Sequence, residues 1–176
     1  LLLTLVGCQS RLYQYTDPTY GVSISYPGTV DLISDPEVLE QLAGAELETA
    51  VDHPRLLFAM VTPQESRLSC TLHQIPEGFD LTPQEYYQAS TAQELDRLQA
   101  TVTEPLVDLT IGGREFQRVG FETKVDETIR LHVRIYQHVD SKTRRVLVLT
   151  PMAETSDWEQ EAPLLESVIE SVRISW

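Results

Sequence analysis

Between positions 106 and 150, four successive segments alternate apolar and polar residues with a period of two. They are Leu106 to Ile111, Glu115 to Thr123, Ile129 to His138 and Val146 to Thr150. Such alternation places every second side chain on one face, so each segment reads as a strand. Gly112-Gly113 and Ser141-Lys142-Thr143 between them are turn signals. A different period comes directly after. Trp158, Ala162, Leu165, Ile169 and Val172 keep i, i+4, i+7, i+11, i+14 spacing, one continuous apolar stripe on a helix. Ser156 with Glu159 predicts the cap of that helix, and Pro163 inside it predicts a kink or a restart. A run of strands succeeded by a helix striped on one side calls for a sheet and a helix that cover each other.

The rest of the chain extends the pattern. Leu12 to Tyr15 and Val22 to Tyr26 alternate around the turn signal Thr16-Asp17-Pro18-Thr19-Tyr20-Gly21, which predicts a hairpin. Ser34 and Glu37 have capping-box spacing, so a helix is expected from there through about Ala50. Leu56 to Val61 and Leu68 to Ile75 read as two more strands. Thr82-Pro83-Gln84-Glu85 is a second capping box with proline at the first helical position. The helix after it carries Tyr87, Thr91, Leu95 and Leu98 on one side. The predicted order is ββαββαββββα, with a short final strand at Arg173 to Ser175. Helices recurring between groups of hairpin strands give an α+β class with a mostly antiparallel sheet covered on one or both faces.

Charge narrows the partners. Asp and Glu number 27 against 13 Lys and Arg, and only Lys124 and Lys142 are lysines. A net charge of −14 repels nucleic acid and anionic headgroups, so neither is an expected direct ligand. Apolar content of 41% and charged content of 23% are those of a globular chain of one domain.

The address lies at the amino end. Leu5-Val6-Gly7-Cys8, an apolar run closing on cysteine, resembles the lipobox of bacterial lipoproteins. That resemblance implies removal of the segment before Cys8 and attachment of lipid to Cys8. Residues 1–8 are then the remnant of a lipoprotein signal, whose upstream part is expected to precede Leu1, and residues 9–176 are the mature domain. Seven residues are far too few to cross a bilayer, which takes about 20 apolar residues. The three chains that lipoprotein maturation supplies anchor stably where a single chain would not. Gln9 after the cysteine favours export to the outer membrane in enteric-type bacteria. Cys70, alternating with polar neighbours on a predicted strand, reads as a core residue; a reactive thiol or a disulfide to Cys8 are the alternatives.

Four local signatures then line up in order. They are Tyr15-x-Asp17-Pro18-x-Tyr20-Gly21-Val22-Ser23-Ile24-x-Tyr26-Pro27, the Ile111-Gly112-Gly113-Arg114 hairpin entry, Trp158, and Leu165-x-x-Val168-Ile169-x-Ser171-Val172. Together they resemble the PsbP-like group, which includes the Mog and DcrB relatives, over residues 13 to 174. After Tyr-Pro that group usually continues into an aromatic, whereas this chain has Gly28-Thr29-Val30. The resemblance implies an α/β/α sandwich with a mostly antiparallel central sheet flanked by helices. It also implies a non-enzymatic binding role without cofactors.

Chemistry-bearing patterns are sparse. No G-x-S-x-G, P-loop, H-E-x-x-H or C-x-x-C occurs in the sequence. His132 and His138 share a strand face but lie six residues apart, roughly 20 Å at strand rise, too far for one metal ion. His138 with Asp140 makes two ligands, too few for a structural site. No metal is therefore expected.

The hairpin of residues 115 to 138 is more informative. With Lys124 to Thr128 as its loop, Val119 faces Val133 and Phe121 faces Leu131 on an apolar side. Arg118 faces Arg134, Gly120 faces His132 and Glu122 faces Arg130 on the other. Two opposed arginines repel unless an anion sits between them. A carboxylate from an overlying helix would serve, and so would an acidic ligand or partner loop. Arg118, Arg130, His132 and Arg134 are the binding candidates, with Gly120 leaving room beside His132.

The expected function is a membrane-tethered, extracytoplasmic, non-catalytic lipoprotein that binds a protein partner of a membrane complex. A photosystem II assembly factor on the lumenal thylakoid face is one alternative. An envelope hydrolase or metal-dependent enzyme is the other.

Overall fold

In a computed structural model of the chain, residues 11–46 and 54–176 are described. Cys8 and the tail of the helix expected to reach Ala50 lie outside the described residues. The elements run β1 (Leu12–Thr16), β2 (Val22–Pro27), β3 (Asp31–Ile33), α1 (Pro36–Glu46), β4 (Arg55–Val61), β5 (Arg67–Gln74), α2 (Pro83–Tyr86), a π-turn (Tyr87–Thr91), α3 (Ala92–Arg97), β6 (Thr101–Ile111), β7 (Arg114–Lys124), β8 (Arg130–Asp140), β9 (Arg145–Glu154), α4 (Trp158–Glu170) and β10 (Arg173–Ile174). Every expected strand is present, and β3 is an addition.

The four alternating segments form four consecutive strands of a seven-stranded sheet of order β3-β4-β5-β9-β8-β7-β6, and β1, β2 and β10 form a separate three-stranded sheet. All pairings are antiparallel. The expectation of one central sheet did not foresee the second. It arises because β10, directly after α4, pairs with β2 and folds the first hairpin onto the same side as the last helix.

Alternation along the strands sorts the core into two layers. Leu68, Cys70 and Leu72 of β5 and Leu147 and Leu149 of β9 point to one face. They are packed there against Trp158, Leu165, Val168 and Ile169 of α4 and Val22 and Ile24 of β2. Cys70 is a free thiol with no exposure, the core residue its position predicted. Val119, Phe121 and Val133 point to the opposite face, against Leu95 of α3. The sheet is thus covered on both sides.

Three local expectations change for physical reasons. Asp35, not Ser34, caps α1: its Oδ1 accepts from the amides of Glu37 at 2.9 Å and Val38 at 3.4 Å. A residue before proline is pushed out of the helical region, which makes Asp35 the last non-helical residue. Nor does Ser156 cap α4. The N-cap is Asp157, without a side-chain bond. The preceding turn is fixed instead by the amide of Thr155, which donates to the carbonyl of Arg130 on β8. The third change is at Pro163, where α4 runs through without restarting. Buried Trp158 and Ala162 before it and Leu165 and Ile169 after it hold both halves on the sheet.

The capping box at Thr82 forms as predicted: Thr82 Oγ1 accepts from the Glu85 amide, and Glu85 Oε2 accepts from the Thr82 amide at 2.8 Å. The predicted stripe packs on the sheet, with Thr91 and Leu95 buried and Tyr87 and Leu98 half-buried in the same cluster. Tyr86 is buried in addition, because the π-turn adds a residue and sets Tyr86 and Thr91 five apart on the inner face. Gln137, 2% exposed, anchors this helix by accepting from Thr91 Oγ1 at 2.9 Å and donating to the Pro83 carbonyl.

Gly112 and Gly113 turn β6 into β7 with φ of 58° and 80°. A Cβ on Gly112 would meet the Val172 carbonyl oxygen at 2.4 Å, whereas one on Gly113 meets nothing. Gly113→Ala is expected to lower unfolding free energy by about 1–2 kcal/mol through backbone strain alone. Gly112→Ala should cost measurably more in the same urea titration. Equal losses would mean that β10 is not held against this turn.

Candidate functional site

The hairpin β7–β8 places the predicted basic stripe with one correction. Its loop spans residues 125 to 129, closed by the Val125 amide on the Ile129 carbonyl. Asp126 Oδ1 gathers the amides of Thr128 and Ile129 and the Thr128 hydroxyl. This slides the pairing from the predicted register: Arg118 faces Tyr136, Gly120 faces Arg134, Glu122 faces His132 and Lys124 faces Arg130. Arg118 and Arg134 are therefore diagonal, not opposed. The faces are unchanged because the slip is even.

An anion does sit between the two arginines, and it belongs to the protein. Glu104 of β6 lies opposite Gly120. Its side chain crosses β7 over that glycine, where a Cβ would approach Glu104 Cβ and Cδ at 2.9 Å. The room that Gly120 leaves beside His132 is thus taken by Glu104. Glu104 then receives Arg134 Nε at 2.9 and 3.0 Å and Nη2 at 2.6 Å. Arg118 Nη2 approaches the same carboxylate at 3.5 Å and His132 Nε2 at 3.4 Å. Arg134 Nη1 also bonds Glu166 of α4, so the overlying-helix carboxylate is present as well. Trp158 closes the cluster, stacked on His132 at 4.2 Å with the Arg134 guanidinium 4.8 Å from its ring centre.

Burial pushes the Glu104 carboxyl up, but the hydrogen bonds and charge of Arg134, with Arg118 and His132, hold it below the ordinary carboxylate value. Burial lowers His132 further than Glu104 and Glu122 can raise it. Of the four candidates, Arg134 and His132 are built into this network, and Arg118 borders it. Arg130 is exposed at the start of β8, away from it. Glu104 and Glu166 escaped sequence reasoning. Glu104 precedes the strand start read at Leu106, beside Pro105 and two register shifts that break the alternation. The one available signal was a glycine in mid-strand, which marks close approach.

His138 lies elsewhere, its Nδ1 donating to the Glu115 carbonyl at 2.7 Å between the rings of Phe116 and Trp176. Among the described residues no three His, Cys, Asp or Glu side chains converge as a metal site.

The opposite face of the sheet holds a feature the sequence did not reveal. A cleft of about 760 Å³ lies beside the α2–π-turn–α3 helix. Its floor includes Leu131, Val133, Ile135, Val148 and Met152, and its roof includes Ala89 and Ser90 of the π-turn. One wall is polar. His73 Nδ1 hydrogen-bonds with the Tyr86 hydroxyl at 3.1 Å and its Nε2 with Thr71 Oγ1 at 3.3 Å. Ser90 of the π-turn lines the cleft as well. Burial lowers His73 to about 4, so the ring is neutral near pH 7.

Solved structures share this architecture. The solution structure of cyanobacterial PsbP (CyanoP) from Synechocystis sp. PCC 6803 superposes with a TM-score of 0.63 at 15% identity, covering 97% of this chain and 96% of that one. LpqN of Mycobacterium tuberculosis, described as involved in cell envelope biogenesis, gives 0.63 at 13% identity over 93% and 91%. The Ran-binding protein Mog1p of Saccharomyces cerevisiae gives 0.53 at 10% identity over 94% and 96%. No protein-family model matches the sequence, and no curated protein does. The likeness fixes the fold as the PsbP-like α+β sandwich.

Two outcomes are expected from these sites. Glu104→Gln should lower stability by about 1–3 kcal/mol, since it strips the charged acceptor from Arg134. Gly120→Val should do the same by evicting Glu104, and the two losses should not add in the double variant. Additive losses in urea titrations would mean that Gly120 acts independently of the ion pair. His73 governs acid sensitivity. Its folded value of about 4 lies below the ordinary 6.5, so it contributes stability that is complete above pH 6.5 and is lost as the pH falls toward 4. That contribution is roughly 3 kcal/mol. His73→Gln should flatten the fall in unfolding free energy across this window, and an unchanged slope would contradict the burial of the ring.

Proposed function

We propose that the chain is a lipid-anchored, extracytoplasmic, non-catalytic module that binds a protein partner in a membrane complex. The observation that carries this reading is the apolar start of the domain immediately after the Leu5-Val6-Gly7-Cys8 run. Strand β1 begins at Leu12, leaving residues 9–11 between anchor and domain, at most about 10 Å of extended chain. The first side chains there are exposed and apolar: Leu12 is 66% and Tyr13 43% exposed, with Tyr13 stacked on Tyr26. Exposed leucine and tyrosine beside an acylated cysteine suit the bilayer interface, where amphipathic aromatic rings collect. Among the described residues no helix is long and apolar enough to cross a membrane. In this reading the lipid on Cys8 supplies the attachment.

The polar wall of the cleft suits binding better than hydrolysis. His73 is held by two hydroxyls rather than by a carboxylate, and a ring with a value of about 4 is a weak base at neutral pH. On the opposite face, Arg134 and His132 form the platform. Arg130 and the outer edge of Arg118 are the contacts offered to an acidic segment of the partner. Tethering raises the effective concentration of such a module near membrane complexes.

Metabolic labelling with an alkynyl palmitate, in a bacterium expressing the chain behind its leader, tests the reading. Label and membrane association are expected in the unsubstituted protein, and both should be lost in Cys8→Ser. An unlabelled protein recovered in the soluble fraction overturns the anchor and the tethering mechanism with it.

A further inference from the structure

We propose that the cleft under the α2–π-turn–α3 helix is a binding site for an uncharged single-chain lipid, a monoacylglycerol-type molecule. The site is separate from the Arg134 network and from the anchor, because it lies on the other face of the sheet. Three features define the ligand.

The first is size. A volume of about 760 Å³ lies within the range of about 300–1,000 Å³ usual for small-molecule sites. The lining runs from Thr71, whose partner on β9 is Val148, to Leu131, whose partner on β9 lies six residues further on. Those six steps span roughly 20 Å at strand rise. An acyl chain that fills one bilayer leaflet is about 15 Å long and fits that length.

The second is polarity. Aliphatic residues of β8 and β9 line the floor, while Ser69 and Thr150, register partners on β5 and β9, set two hydroxyls in it. Next to Ser69 along β5 stand Thr71 and His73, and the neutral Thr71–His73–Tyr86 chain continues the polar side of the cleft, with Ser90 of the π-turn also lining it. Hydroxyls beside an aliphatic trough suit a glycerol head on an alkyl tail. A π-turn roofs the cleft, and such interruptions concentrate where helices serve function.

The third is charge, which decides between a neutral and an anionic head. Among the described residues the charged lining groups are Glu94, Arg97 and Lys124. Glu94 and Arg97 neutralise each other, and Lys124 is followed by Asp126 and Glu127. No net positive mouth awaits a carboxylate or phosphate, and the chain's −14 charge repels one at a distance.

The test is calorimetric titration of monomyristoylglycerol, below its micellar concentration, into the full chain carrying Cys8→Ser, so that anchoring cannot enter the measurement. Saturable one-to-one binding with a negative heat-capacity change is expected. Ala89→Trp, an exposed roof position, should fill the cleft and weaken binding by about tenfold or more. Chemical-shift changes on ligand addition should fall on the methyls of Leu131, Val133, Ile135 and Val148. The methyls of Leu68 and Leu149 on the other face should stay still, a readout independent of how well the variant folds. Myristate should bind about tenfold more weakly than the glyceride. Absence of saturable binding, or shifts spread over both faces, overturns the site. Myristate binding as tightly as the glyceride overturns the uncharged head. Neither result bears on Cys8 acylation, so failure here and failure of the anchor are separable.

Discussion

A strand in the middle of a seven-stranded sheet offers apolar side chains to both faces, and each face must be taken out of water by something else in the chain. In this protein the two covers are unequal. One face carries α4 and the three-stranded sheet together, a continuous layer from Val22 and Ile24 to Leu165 and Ile169. The other carries the α2–π-turn–α3 helix, which seats Leu95 on Phe121 and Val133 at one end and Tyr86 on Ile75 and Val146 at the other. The unequal covering produces both sites. The crowded face must accommodate charge inside it, and the lightly covered face keeps a cleft.

The charge on the crowded face is tolerated because it is matched within a few ångströms. Arg134 directs its donors to Glu104 and Glu166 and rests on Trp158, so the guanidinium meets carboxylate and π-face in place of water. Removing one partner leaves an unmatched charge that is only 15% exposed, which makes the cluster costly to break. The same geometry explains why Trp158 leads the last helix. Its indole is the lid on a polar patch as well as part of the core.

The first hairpin and the cleft lie on opposite sides of the large sheet as a consequence of the topology. The first hairpin lies on the α4 face through β10, so the short segment leading back to Cys8 starts from the side opposite the cleft. A module tethered there would turn its apolar trough away from the anchored side.

Local periodicity determined a good deal of this. Period-two alternation and turn residues are enforced by neighbours a few positions away, so β1, β2, β4, β5 and β7 to β9 could be read from the sequence. So could the stripe of α4, the capping box at Thr82 and the burial of Cys70. The ordering of four short signatures carried the fold class. Tertiary structure decided whatever depends on residues distant in sequence meeting in space. The Asp126 turn set the β7–β8 register, and the crossing of Gly120 by Glu104 supplied the anion that the arginines required. The π-turn moved Tyr86 inward, and the pairing of β10 with β2 created a second sheet. The cleft is the clearest case. Among the described residues it lies between the α2–π-turn–α3 helix and strands β5, β7, β8 and β9, and no single segment encodes a space left between others.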